Sequence, residues 1–308
     1  LAHGAECVCY FRWRQAPFAQ EQMHAGILRV DHSKTEAWEQ IEQVRDEVAR
    51  LDLLNQNSEP ALVAIITGAE GFWVSDIEHQ GAAYDFNRVQ FSWYSALREI
   101  GVNVDFVSVD ADFSQYSIII APSLPIIDEA FVDKCARSNA IFIFGPRTGA
   151  KTEEFAYPLN LPPGPLQRIA PLRVLSVETL RADCTEEFSW RGESYKSVVW
   201  REQLEAAGAE ILACYDDNEP AVVRYDRVIY MGTLTDAGFL RDFLKQQCTD
   251  AGIDVYHFGG DIRVRQRGEL LFAFNYSGQE QELPLQEGAT LLLGDKIIKP
   301  RDVTVWKN

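Results

Sequence analysis

The chain opens on alternation. In "ECVCYFRWRQ" (residues 6–15) Cys7, Cys9, Phe11 and Trp13 fall on one side and Val8, Tyr10, Arg12 and Arg14 on the other. That two-residue period predicts a strand. A helical period follows in "HSKTEAWEQIEQVRDEVARLDLL" (32–54), where Trp38, Ile41, Val44, Val48 and Leu51 recur on one face. Ser33 and Glu36 stand at capping-box spacing ahead of it. "NQNSEP" (55–60), with no apolar anchor and a closing proline, predicts a linker.

Beyond it the pattern changes to short apolar runs alternating with amphipathic stretches. "ALVAIITG" (61–68) has the continuous hydrophobicity of a parallel strand buried on both faces. "DFNRVQFSWYSALREIG" (85–101) predicts a helix that ends at a glycine. "VNVDFVSV" (102–109), "YSIIIAPS" (116–123) and "AIFIFGP" (140–146) predict further strands, with "DEAFVDKCARSN" (128–139) as a helix between the last two. Strands and helices alternating at these lengths predict a doubly wound α/β sheet. The part from 151 to 252 is less regular. Its "YPLNLPPGPLQRIAPL" (157–172) predicts a long surface excursion, and "RVIYMGTLTDAGFLRDFLKQQCTDAG" (227–252) closes it with strand, turn and helix. From about 254 the helical period is gone. "IRVRQRG", "ELLFAFNYSG", "QELPL", "ATLLLG" and "KIIKPRDVTVW" predict a small antiparallel β-module, of a size that leans on a neighbour for stability.

Composition narrows the function. Of 308 residues, 46% are hydrophobic and 24% charged, the balance of a folded globular protein. A net charge of −17 argues against a binder of nucleic-acid phosphates and against anionic membrane surfaces, and it suits a neutral ligand. The longest apolar run, "YSIIIAPSLPII", is broken by two prolines and is too short to span a bilayer. "LAHGAECVCY" lacks the basic and apolar regions of a signal peptide and begins without Met, so a cytoplasmic chain continuing something longer is expected. Six cysteines without C-x-x-C spacing predict reduced thiols, with Cys7 and Cys9 as a packed core pair rather than a metal site.

The residue types that carry chemistry are few. Glu21 and His24 stand one helical turn apart, which on a helix places them on one face. A carboxylate accepting from two vicinal hydroxyls, an imidazole reaching a third and an aromatic ring against the C–H face would bind a sugar. A glycosidase also needs two carboxylates flanking the scissile bond, and none sits at the end of the single barrel-like strand. Glu70 and Asp76 are expected to be loop and helix-start residues. "TGAEGFWVSD" is no dinucleotide fingerprint, "FGPRTGAK" predicts a turn, and Cys135 falls mid-helix where a nucleophile would be sheathed.

"LAHGAECVCYFRWRQ" followed by "EQMHAGILRVDH" closely resembles the end of the catalytic barrel of glycoside hydrolase family 42 β-galactosidases. "VAIITGAEGFW" and "YSALREIGVNVDFVSVDADFSQYSIIIAPSLPIIDE" resemble that family's trimerisation domain, and "IRVRQRGELLFAFNYSG" its C-terminal β domain. The resemblance implies the last strand and helix of a (β/α)8 barrel over 1–56. It implies a flavodoxin-like domain, related to class I glutamine amidotransferases, over 57–252, and a small antiparallel β domain over 253–308. It implies a galactose-contacting aromatic at Phe11, with the sugar-binding carboxylate and imidazole at Glu21 and His24. The family's acid/base and nucleophile glutamates belong to earlier barrel strands, so no catalytic residue, cofactor or metal is expected here. The implied function is the C-terminal portion of a retaining β-galactosidase, homotrimeric and taking a galactoside in the complete enzyme. Two alternatives stay open: a stand-alone α/β binding or interaction module, and a first segment that packs against a separate chain completing the barrel.

Overall fold

The computed structural model describes residues 1–53, 60–259 and 261–308. The predicted linker 55–60 lies, apart from Pro60, outside them. Compactness divides the chain into two units, Pro60–His257 and a second one formed by Leu1–Glu59 with Phe258–Asn308.

In the larger unit the apolar runs are the centre of an 11-stranded mixed sheet. Strands β1 (Val63–Ile66), β2 (Val104–Val107), β3 (Ile118–Ala121), β4 (Ile141–Phe144) and β10 (Val228–Met231) are parallel, in the order β2-β1-β3-β4-β10. Alternate side chains explain why these strands are apolar throughout. Ile65, Ile120, Ile143 and Ile229 enter one core, and Ala64, Ile119, Phe142 and Tyr230 enter the other. Helices α3 (Phe86–Glu99) and α5 (Ala237–Asp250) cover the first face through Val89, Trp93, Leu97, Phe239 and Phe243. On the second face lies α4 (Glu129–Arg137), with Phe131 and Val132. Each of these three helices begins at an aspartate whose carboxylate accepts a main-chain N–H: Asp85 from Arg88, Asp128 from Phe131 and Asp236 from Phe239. A further helix, α2 (Ala69–Ile77), follows β1. As expected, α3 stops short of a glycine, Gly101, whose φ is +75.

The irregular stretch holds more order than its sequence suggests. Strands β5 (Arg173–Thr179), β6 (Thr185–Trp190), β7 (Glu193–Glu205), β8 (Glu210–Tyr215) and β9 (Pro220–Tyr225), with β11 (Thr233–Thr235), extend the parallel sheet as an antiparallel one. Residues 157–172 are only in part a surface excursion: Tyr157 and Leu159 are exposed, but the stretch also turns inward. Leu166, Ala170 and Leu172 are fully buried in the second core. The prolines help here, because they carry no N–H that burial could leave unpaired.

In the smaller unit, α1 (Ala37–Arg50) occupies the centre of its predicted span. The capping box is absent. Ser33 donates to Asp31, and Glu36 is paired with Arg29 at 2.6 Å. Residues 6–15 do not form a sheet strand either. They have only one bridge, Arg14 to Leu28, because a lone extended segment has no second strand to ladder with among the described residues. Cys7 and Cys9 share a side as expected, with sulfurs 3.7 Å apart, but both are exposed rather than packed in a core. The β-module is as its pattern predicts. Strands β12 (Ile262–Arg267), β13 (Leu270–Asn275), β15 (Thr290–Leu293) and β17 (Val303–Lys307) form a sheet in the order β12-β13-β17-β15, with β14 (Gln281–Glu282) and β16 (Ile297–Ile298) as a separate pair. Leu270, Phe272 and Val305 of this module share one core with Leu51 and Leu53.

Candidate functional site

The N-terminal segment folds back on itself and gathers its polar residues. Ile27 N–H donates to the Arg12 carbonyl at 2.9 Å, Leu28 N–H to that of Trp13 at 2.8 Å, and Gln15 N–H to that of Leu28 at 3.0 Å. This clasp holds 12–15 beside 27–28. Between them Gln20–Met23 make a 3-10 turn, pinned by the Gln15 side-chain amide donating to the Gln22 carbonyl at 2.8 Å. Glu21 and His24 are therefore not one face of an α-helix. They sit inside and just after a tight turn, where His24 N–H donates to the Glu21 carbonyl at 3.2 Å.

The three predicted residues do come together, two by direct contact. The Phe11 and His24 rings meet edge to face, with centroids 5.8 Å apart and planes at 88°. Glu21 joins through Arg12, whose guanidinium donates to its carboxylate at 3.3 Å and stands 5.7 Å from the centre of the Phe11 ring. Arg12 is the member that sequence reasoning missed, since strict alternation puts it opposite Phe11. Phe11 is 67% exposed, and Glu21 and His24 are exposed with it. The cluster thus presents to solvent an aromatic ring, an imidazole and a carboxylate oriented by a cation, the group types that sugar recognition uses.

The middle domain holds two further groups of polar residues. A cleft of about 600 Å³ opens beyond the C-terminal ends of β1, β2 and β3, lined by Thr67, Ser108, Asp110, Ser123 and Glu153. Glu70 lies in the first turn of α2 on its wall, while Asp76 lies near that helix's end. The second group is buried. Glu202, 2% exposed, accepts from Arg147 N–H at 2.8 Å, Trp200 Nε1 at 3.1 Å and Tyr230 Oη at 2.8 Å. Burial pushes its carboxyl above the ordinary glutamate value, and burial beside Glu202 pushes the Tyr230 hydroxyl well up. The two-residue period of "WREQLE" carried the signal, because it puts Glu202 on the side of Trp200 and Leu204, both buried. Cys135 is buried in α4 and its thiol is pushed up to about 12, which leaves it inert at neutral pH. Among the described residues no group of three His, Cys, Asp or Glu side chains could hold a metal ion, and no helix is long and apolar enough to cross a membrane.

Three family models match the chain end to end. The model described as the β-galactosidase trimerisation domain matches residues 61–254, that of β-galactosidase 1–51, and that of the β-galactosidase C-terminal domain 261–308. A β-galactosidase of Thermus thermophilus is 38% identical over 307 residues, covering 100% of this chain and 47% of the relative. Among solved structures, the β-galactosidase of the psychrophilic Marinomonas ef1 superposes with a TM-score of 0.94 at 34% identity, covering 100% of this chain and 48% of that one. The β-galactosidase of the Antarctic haloarchaeon Halorubrum lacusprofundi gives 0.91 at 28% identity, again over 100% of this chain and 48% of the other. The chain thus spans about half the length of the curated relatives it matches.

Proposed function

Because the chain belongs to the family 42 β-galactosidases and corresponds to their C-terminal part, we propose that it supplies assembly and one wall of the galactose pocket to a retaining β-galactosidase. The observation that carries this reading is the match of the β-galactosidase, trimerisation-domain and C-terminal-domain models in that order along the chain. On this reading 1–56 completes a (β/α)8 barrel, a fold of roughly 250 residues. The domain borders are 1–56, 57–252 and 253–308. Phe11 stacks on the sugar, Glu21 and His24 bind its hydroxyls, and Arg12 orients Glu21. The acid/base and nucleophile carboxylates come from earlier barrel strands. A place in a barrel also accounts for the unpaired 6–15 segment and the exposed Cys7 and Cys9, whose faces neighbouring strands would cover.

The middle domain is flavodoxin-like on this reading. Its parallel strands, numbered among themselves, run 2-1-3-4-5, the order of that doubly wound class. Its assembly surface is α2, which exposes Phe72, Trp73 and Ile77, a cluster of large apolar side chains suited to contact between copies in a homotrimer. On this reading the complete enzyme acts on galactosides in the cytoplasm, without nucleic acid, membrane, metal or cofactor.

Hydrolysis of a chromogenic β-galactoside tests the proposal. The chain alone is expected to give no turnover, and the chain joined to a relative's upstream barrel to give turnover. Hydrolysis by the purified chain alone, abolished in Glu21→Gln, would place a catalytic carboxylate here and overturn it.

A further inference from the structure

Among the described residues, the buried Nη1 of Arg147 in the middle domain has no hydrogen-bond acceptor. β4 runs directly into Gly145-Pro146-Arg147-Thr148-Gly149, and Arg147 at the centre has φ +66. Both glycines are required by crowding: a Cβ on either would lie 2.1 Å from a carbonyl oxygen, that of Pro122 or of Pro163. A non-glycine residue keeps left-handed backbone only where its surroundings over-determine it, and such positions gather at ligand sites. Here the Arg147 N–H is fixed by Glu202.

The side chain is as constrained as the backbone. Arg147 is 4% exposed, and its guanidinium carbon lies 5.3 Å from the centre of the Tyr84 ring and 5.7 Å from that of Trp200. Its Nη1 is buried without a hydrogen-bond partner among the described residues. Glu202 attracts it electrostatically, but the Glu202 oxygens already accept from three other donors. The neighbouring cation differs. Lys151 is paired with Glu78 at 2.8 Å. A buried guanidinium fork with an unmet donor calls for an acceptor, because leaving a charged donor unsatisfied costs more than leaving a neutral one.

Arg147 lines a cavity of about 120 Å³ whose walls combine the apolar Val174, Val177 and Trp200 with the charged Glu78, Lys151 and Glu202. By volume alone it holds a molecule of three or four carbons, since a cavity of about 150 Å³ takes up benzene, and its cationic wall of Arg147 and Lys151 offsets the carboxylates of Glu78 and Glu202. The fork matches a carboxylate, and the apolar wall matches a short alkyl body. We propose that the turn after β4 is a binding site for a short-chain monocarboxylate, held by the Arg147 fork with its alkyl end against Val177 and Trp200.

Thermal unfolding with sodium propionate, sodium sulfate and sodium chloride at matched ionic strength tests it. Propionate is expected to raise Tm saturably, as a ligand of the folded state does, while sulfate matches chloride. Arg147→Met should weaken propionate binding roughly tenfold or more. Val177→Trp, which fills the cavity at a half-exposed position, should abolish binding while keeping the fold, and it decides the matter if the arginine variant does not fold. In the unsubstituted chain labelled with 15N, propionate should also shift the Arg147 side-chain resonance. Equal saturation by sulfate would overturn the carboxylate class. No saturable response to propionate, or a response surviving Val177→Trp, would overturn the site.

Discussion

The guanidinium of Arg267 donates to the main-chain carbonyl of Leu1, across 266 positions of sequence. Arg267 ends β12, is 4% exposed and also reaches the Ala5 carbonyl at 3.4 Å. The two ends of the chain are therefore one folding unit, joined by that arginine and by the core that Leu51 and Leu53 share with Phe272 and Val305. Arg267→Met is expected to destabilise this unit by about 1.5–3 kcal/mol, the worth of a charged hydrogen bond. Phe272→Ala should cost about 3–5 kcal/mol. Urea unfolding of the two variants checks both values, and unaffected midpoints would break the link between the ends.

In the joined, complete enzyme, Glu21→Gln and Phe11→Ala should raise KM for a β-galactoside. Loss of a charged hydrogen bond is worth about 1.5–3 kcal/mol, or roughly 10- to 150-fold. Arg12→Met should give a smaller rise, since it only orients Glu21. Steady-state kinetics separates the three, and an unchanged KM in all of them would remove these residues from the pocket.

Burial holds the Glu202 carboxyl above its ordinary value of 4.5, so the folded chain keeps that proton more tightly than the unfolded one. The stability it contributes is fully present below 4.5 and is lost as pH rises through the raised folded value. Glu202→Gln cannot ionise and removes this slope. The stability of wild type relative to Glu202→Gln should therefore fall with rising pH from 4.5 upward. Denaturant titrations at stepped pH measure it, and a flat difference would contradict the raised value.

Thiol labelling should divide the cysteines by burial. Cys7, Cys9 and Cys184 are exposed and should react in the native chain. Between Cys7 and Cys9, the hydrogen bond with Cys9 pushes the Cys7 thiol up and slows it. Cys135 and Cys248, buried and pushed up to about 12, should react only on unfolding. Joined to an upstream barrel, Cys7 and Cys9 should become protected. Continued fast labelling there, followed by mass spectrometry, would deny the 6–15 segment a place in the barrel.

The parallel strands were legible because "VAII", "IIIA" and "IFIF" are apolar at every position, which only burial on both faces explains. The helices α3 and α4 were legible from their apolar period. The antiparallel extension was not, because β5 to β8 have one face largely in solvent and carry charges such as Glu178, Glu187 and Arg201 among their apolar positions. At the candidate site, spacing brought Glu21 and His24 to notice, and the resemblance added Phe11. Arg12 escaped because its contact with Glu21 depends on the chain folding back through Leu28, which no local period encodes.

If this chain carries the assembly surface proposed for α2, its mass in solution shows it. Light scattering at micromolar concentration should give three times the 34.9 kDa of one chain, and Trp73→Glu on α2 should reduce it to a single copy. A monomer of the unsubstituted chain, or a trimer indifferent to Trp73→Glu and Ile77→Glu together, would contradict the account.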